Sequence, residues 1–180
     1  MKVAVIGAGT MGNGIAQVFA MQGHAVTLVD VSATALEKGL AAVQGSLARL
    51  VKKGSVTPDA ASAAAARIAV ATTVDAARDA ELAIEAATEN PALKFEIFRQ
   101  LDAICPPATI FASNTSAISI TRLAAVTSRP PRFIGMHFMI PVPVMQLVEI
   151  VRGLDTDDST YATTVELAVA MGKTAVACND

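Results

Sequence analysis

Apolar and polar positions change period repeatedly along the chain. Residues 1–6 and 25–30 are near-continuous apolar runs, the pattern of strands buried on both faces. Between them Ile15, Val18 and Phe19 recur at helical spacing, which predicts a helix over 11–21, with Gly23 where such a helix ends. Ser32 is placed to cap a second helix running to about 53. Its stripe is Leu36, Leu40, Val43, Leu47, Leu50 and Val51, with Glu37, Lys38, Gln44, Arg49, Lys52 and Lys53 largely off it. A loop over 54–58 and an alanine-rich helical turn follow. Strand patterns return at 68–71, 82–87, 109–113, 133–138, 146–151 and 174–178. Helical patterns fall at 92–104, 118–126 and 157–171, the last capped within 155–158. This alternation predicts an α/β fold, a doubly wound and mainly parallel sheet with helices on both faces.

The chain has 180 residues, which at roughly 150 per domain is one domain, or one and a fragment. Hydrophobic residues make up 53% and charged residues 17%, which excludes a disordered chain. A mean hydropathy of +0.49 raises the question of a membrane protein. The 36 alanines account for much of it, and the charge-free run 3–29 is broken by five glycines, Asn13, Gln17, Gln22 and His24. No basic stretch and cleavage pattern mark a secretory leader. A net charge of −2, no Trp and one Tyr argue against a nucleic-acid or anionic-membrane partner. Cys105 and Cys178 make no disulfide framework and suit a reducing cytoplasm. Asn179-Asp180 offers no cap and no charged tail, so the chain is expected to close nothing there and to stop inside a larger design.

Four places carry candidate chemistry. Gly7-Ala8-Gly9-Thr10-Met11-Gly12 lies between a predicted strand and a predicted helix, and Asp30 ends the next strand about 20 residues on. Gly7 permits the turn, Gly9 lets a pyrophosphate approach the backbone, and Gly12 lets helix and strand pack closely. The helix start supplies N–H donors to phosphate, and Asp30 takes ribose hydroxyls, favouring NAD over NADP. The plainer alternative is a glycine turn with a solvated aspartate. Ser113-Asn114-Thr115-Ser116 ends an apolar strand, where a ligand crevice forms, although Thr115 or Ser116 also suits the cap of a helix from Ile118. His137, between Met and Phe, is either a core histidine or a proton carrier. Glu149, the only acid in its apolar strand, needs a partner such as His137, unless it faces water on an edge strand. Lys94, after Glu89-Asn90-Pro91, is placed for a cofactor phosphate or ribose, or for solvent. Ser46, Lys52 and Lys53 read on pattern alone as a solvated face.

Together these residues resemble the N-terminal part of the L-3-hydroxyacyl-CoA dehydrogenases, particularly the bacterial 3-hydroxybutyryl-CoA type. The resemblance rests on the glycine motif, Asp30, Ala86-Ala87-Thr88-Glu89-Asn90, Ser113-Asn114-Thr115-Ser116 and the block 135–149, and covers essentially the whole chain. It implies a Rossmann-type NAD-binding domain over 1–180, with the family's helical domain lying outside it. In that likeness Gly7, Gly9, Thr10, Met11, Gly12 and Asp30 hold NAD, with Glu89, Lys94 and Asn114 on its nicotinamide side. His137 is the general base, Glu149 orients it, Ser116 and Asn114 meet the substrate oxygen, and Ser46 and Lys53 meet coenzyme A. The implied reaction passes hydride from C3 of a short-chain 3-hydroxyacyl-CoA to NAD, in a cytoplasmic homodimer of fatty acid metabolism. No metal is implied.

Two departures stand out. The family has Asn-Pro three residues after the histidine; here Ile140-Pro141 replaces it, and Ile140 brings no hydrogen bond. Family chains also continue into a Pro-Gly-Phe segment with another active-site Asn. The alternatives left open are a related dehydrogenase of a free β-hydroxyacid, such as a gulonate dehydrogenase, and an NAD-binding module without chemistry.

Overall fold

The computed structural model describes residues 1–180. Eight strands form one sheet: β1 (Lys2–Ile6), β2 (Ala25–Val29), β3 (Ile68–Ala71), β4 (Leu82–Glu85), β5 (Ile110–Ser113), β6 (Phe133–Phe138), β7 (Leu147–Arg152) and β8 (Thr174–Asn179). Six helices connect them: α1 (Thr10–Met21), α2 (Ala33–Lys52), α3 (Pro58–Ala66), α4 (Pro91–Ile104), α5 (Ile120–Ala124) and α6 (Asp158–Ala170). The strand order is β3-β2-β1-β4-β5-β6-β7-β8. The first six lie parallel, and the order reverses between β1 and β4, where doubly wound sheets bind ligands.

Alternate residues of each strand feed opposite faces of the sheet. On β1, Val3 and Val5 join a cluster with α1, α2 and α3, while Ala4 and Ile6 join a second cluster with α4 and α5. The apolar strands are therefore buried on both sides, as continuous runs require. Ser32 caps α2 by accepting from the N–H of Ala35, and Gly23 follows α1 with φ +87°. No helix is long and apolar enough to cross a membrane.

β7 breaks the parallel pattern. It runs antiparallel to β6, and β8 then runs parallel to β7. Eight residues separate β6 from β7, too few for the crossover that a parallel partner needs. The starts of β7 and β8 therefore lie at the sheet end where β1, β4, β5 and β6 finish.

Two capping expectations are corrected. α5 begins at Ile120, not 118, and its cap is Ser119, whose hydroxyl accepts from the N–H of Arg122. Thr115 and Ser116 do not cap it. Asp180 also does not end the chain idly: its carboxylate accepts from the N–H groups of Ile120 and Thr121 and from the hydroxyl of Ser119. These bonds outweigh the burial that pushes the Asp180 carboxyl up, and hold it below the usual aspartate range.

Candidate active site

The glycine motif sits at the end of β1 and the start of α1. Gly7 has φ +107°, and a side chain there would come within 2.7 Å of the Ala86 carbonyl. A Cβ on Gly12 would overlap the Gly7 carbonyl at 1.7 Å, so Gly12 is needed for helix and strand to pack. Gly9 differs: a Cβ there meets nothing within 4 Å. The protein itself therefore leaves room for a side chain there, and glycine leaves the backbone open to an approaching ligand. Gly9 also forms the N-cap of α1 without a side-chain acceptor, so the first N–H groups of the helix have no cap. Asp30 holds the turn from the other side. Its two carboxylate oxygens accept from the N–H of Ala8 and the N–H of Ser32, each at 2.9 Å, and keep lone pairs for ribose hydroxyls. These residues fit a dinucleotide.

A cleft of about 370 Å³ opens beyond this turn, lined by Met11, Glu89, Lys94, Asn114, Ser116, His137 and, at one wall, Met139 and Ile140. The structure thus gathers residues from α1, α4 and the ends of β4, β5 and β6. A neighbouring hollow of about 270 Å³ is lined by Thr115, Glu149 and others, and Ser116 and His137 line both spaces.

His137 and Glu149 occupy directly paired positions on β6 and β7. The His137 Nδ1 lies 2.7 Å from Glu149 Oε2. A carboxylate partner places the proton on Nδ1 and leaves Nε2 as the free lone pair. The side chains are 22% and 35% exposed, so neither is a sealed core group, and β7 is flanked on both sides, so Glu149 is not on an edge strand.

Beneath the cleft is a polar cluster that periodicity did not reveal. Lys94 is 1% exposed, which overturns its reading as solvated. Its ammonium donates to Glu85 Oε1 at 2.6 Å, Glu89 Oε2 at 3.1 Å and the Ala87 carbonyl at 3.2 Å. All three donors are engaged by the protein. Glu85, fully buried at the end of β4, also accepts from the Ser113 hydroxyl and the Ala87 N–H. A lone acid closing Leu82-Ala83-Ile84-Glu85 is the signal that marks it, the same one that singled out Glu149. Glu89 accepts from the Thr115 hydroxyl. Burial raises the Glu89 carboxyl, but the Thr115 hydroxyl and the Lys94 ammonium outweigh it and hold the group below the usual range. Asn114 accepts from the Phe138 N–H through its carbonyl, so its amide nitrogen keeps two donors for a ligand. Ser46, half-buried, and Lys53, exposed, lie on and just after α2 and line neither space. Cys105 is buried, and its thiol is pushed up to about 11 by burial, so it is inert.

A parallel sheet in this order, with a glycine cradle at the strand reversal and His137 lining the cleft beside it, backed by Glu149 in the neighbouring hollow, has the architecture of a dinucleotide-binding domain. Residues 2–180 match the model of the 3-hydroxyacyl-CoA dehydrogenase NAD-binding domain, and the chain belongs to that family. It is 51% identical to a 3-hydroxybutyryl-CoA dehydrogenase of Bradyrhizobium diazoefficiens over 99% of its own length and 61% of the relative's. It is 50% identical to a probable 3-hydroxybutyryl-CoA dehydrogenase of Bacillus subtilis over 99% of its own length and 62% of that protein. The crystal structure of (S)-3-hydroxybutyryl-CoA dehydrogenase from Ralstonia eutropha superposes with a TM-score of 0.96 at 51% identity, over 99% of this chain and 63% of that one. The chain therefore spans less than two thirds of the length of these relatives.

Proposed function

We propose that residues 1–180 form the NAD-binding and base-bearing domain of an oxidoreductase for short-chain L-3-hydroxyacyl-CoA, interconverting 3-hydroxybutyryl-CoA and acetoacetyl-CoA. The observation that carries this reading is the His137–Glu149 pair, with the free Nε2 on a residue that lines the same cleft as Met11 of the glycine cradle. The names of the relatives support the substrate class.

Gly7, Gly9, Thr10, Met11 and Gly12 would hold the pyrophosphate of NAD, and Asp30 the adenosine ribose. NAD, when bound, accepts the hydride from C3 of the substrate. The chain manages the proton. His137 Nε2 takes it from the 3-hydroxyl, and Glu149 balances the positive charge that then develops on the ring. Ser116 shares both spaces with His137 and holds the reacting oxygen, and Asn114 donates from its free amide nitrogen. Glu89 meets the nicotinamide ribose, and Lys94, with its donors engaged, acts by holding Glu89. Ser46 and Lys53 are seven residues apart, two helical turns, and present one face to coenzyme A. The full-length protein is read as a cytoplasmic homodimer of fatty acid β-oxidation, a reducing setting that suits two free cysteines.

The full-length protein should oxidise NADH with acetoacetyl-CoA, and free coenzyme A should compete. A folded protein with no such turnover contradicts the reading; turnover of a free acid that coenzyme A does not inhibit favours the free-acid alternative, for which Ile140 at the cleft wall, 61% exposed, is the motivating observation.

A further inference from the structure

Lys173 is buried beside the catalytic strands and has no part in the reaction above. It is 8% exposed and enters none of the ion pairs of the chain. Its ammonium donates to two main-chain carbonyls, Val142 at 2.7 Å and Met145 at 2.8 Å. Burial pushes it below the usual lysine range. A buried ammonium with only neutral acceptors is no better for stability than a well-packed apolar side chain. Its use therefore lies in where it puts those two carbonyls.

The topology brings it there. Thr174, which opens β8, pairs with Leu147, which opens β7, and Phe138 at the end of β6 pairs with Val148. The residue before β8 thus arrives at the same end of the sheet as His137. The segment it grips is a turn over 141–145, closed by the N–H groups of Val144 and Met145 on the Pro141 carbonyl. The far side of the turn rests on α1: Val142 is 2% exposed, and a Cβ on Gly14 would come within 2.8 Å of the Val142 Cβ. The turn is held between the ammonium and the cofactor helix, and it follows directly on Met139 and Ile140 of the cleft wall.

We propose that Lys173 is a positioning residue that holds the 141–145 turn against α1 and so fixes Met139 and Ile140 as the wall beside His137, setting the fit of the acyl part of the substrate. This rests on the functional reading above for its substrate.

Two readouts on the full-length protein test it, one independent of activity. Lys173→Met keeps the length and removes the donors. Amide hydrogen exchange at Val144 and Met145 should speed up about tenfold, since two carbonyls lose their donor. KM for acetoacetyl-CoA should rise about tenfold, while the dissociation constant of NAD stays within about twofold. Lys173→Arg, which can donate to both carbonyls, should restore both. If Lys173→Met does not fold, Lys173→Gln, able to serve one carbonyl, is read in the same way with smaller changes. A folded variant with native exchange at these amides overturns the proposal, and so does faster exchange with an unchanged KM. If the wild-type protein shows no turnover of acetoacetyl-CoA, the functional reading fails instead, and exchange alone decides whether Lys173 holds the turn.

Discussion

His137 and Glu149 are twelve residues apart in sequence and directly opposite in space, because β6 and β7 pair antiparallel at that register. Their 2.7 Å contact fixes which ring nitrogen is free. Glu149→Gln keeps the shape but no longer dictates the tautomer or balances the developing charge. It should lower kcat by about 10²- to 10⁴-fold, judged from other base–orienter pairs, with KM for NADH little changed. Steady-state kinetics on folded protein check this.

The cradle glycines separate into two kinds. Gly9→Ala should fold normally, because the new methyl meets no protein atom, yet bind NAD about tenfold or more weakly because it stands in the path of the pyrophosphate. Gly12→Ala should fail to fold stably, since its methyl overlaps the Gly7 carbonyl. Calorimetric NAD titration and thermal melts of each variant distinguish them.

The buried cluster under the cleft should be a stability element as well as a support. Lys94→Met leaves the Glu85 carboxylate buried without its cation, and should cost about 3–5 kcal/mol in denaturant unfolding. Retained stability would contradict this role for the ion pair.

Acid should weaken the fold through its depressed carboxylates, Asp180 among them. Glu89 has an ordinary value of 4.5 and Asp157 one of 3.8, and both sit lower in the folded chain. Burial opposes this at Asp157, but the Thr160 N–H that it caps and the Ser159 hydroxyl prevail. A depressed carboxylate adds stability above its unfolded value and loses it as pH falls through the folded one. Denaturant midpoints should therefore begin to fall near pH 6.5, where burial of His24 opposes its protonation in the folded chain, and fall further below about pH 5 as these carboxylates protonate. Thr115→Val should remove part of the Glu89 contribution, because it deletes a hydroxyl that holds the charged form.

Much of this was legible from the chain alone. The strand–turn–helix–strand unit with Asp30 is local, so periodicity and glycine spacing locate it within a residue or two. The His137–Glu149 partnership was suggested by a lone acid in an apolar strand. The same reasoning, applied to Glu85, would have found the Lys94 cluster. Less legible were contacts made by the fold. Asp180 reaches a helix start some sixty residues away, and Lys173 follows Gly172 like an ordinary basic residue after a helix. Nothing local to either residue encodes its partner, because β7 and β8 bring the partners together only after the sheet is assembled.

The most direct test of the account is NADH oxidation by acetoacetyl-CoA with the full-length protein, wild type against His137→Gln. The account predicts turnover in the wild type and a loss of about 10²- to 10⁴-fold in kcat for the variant, with NAD affinity retained. Turnover that survives the loss of His137, or none in the folded wild type, would contradict it.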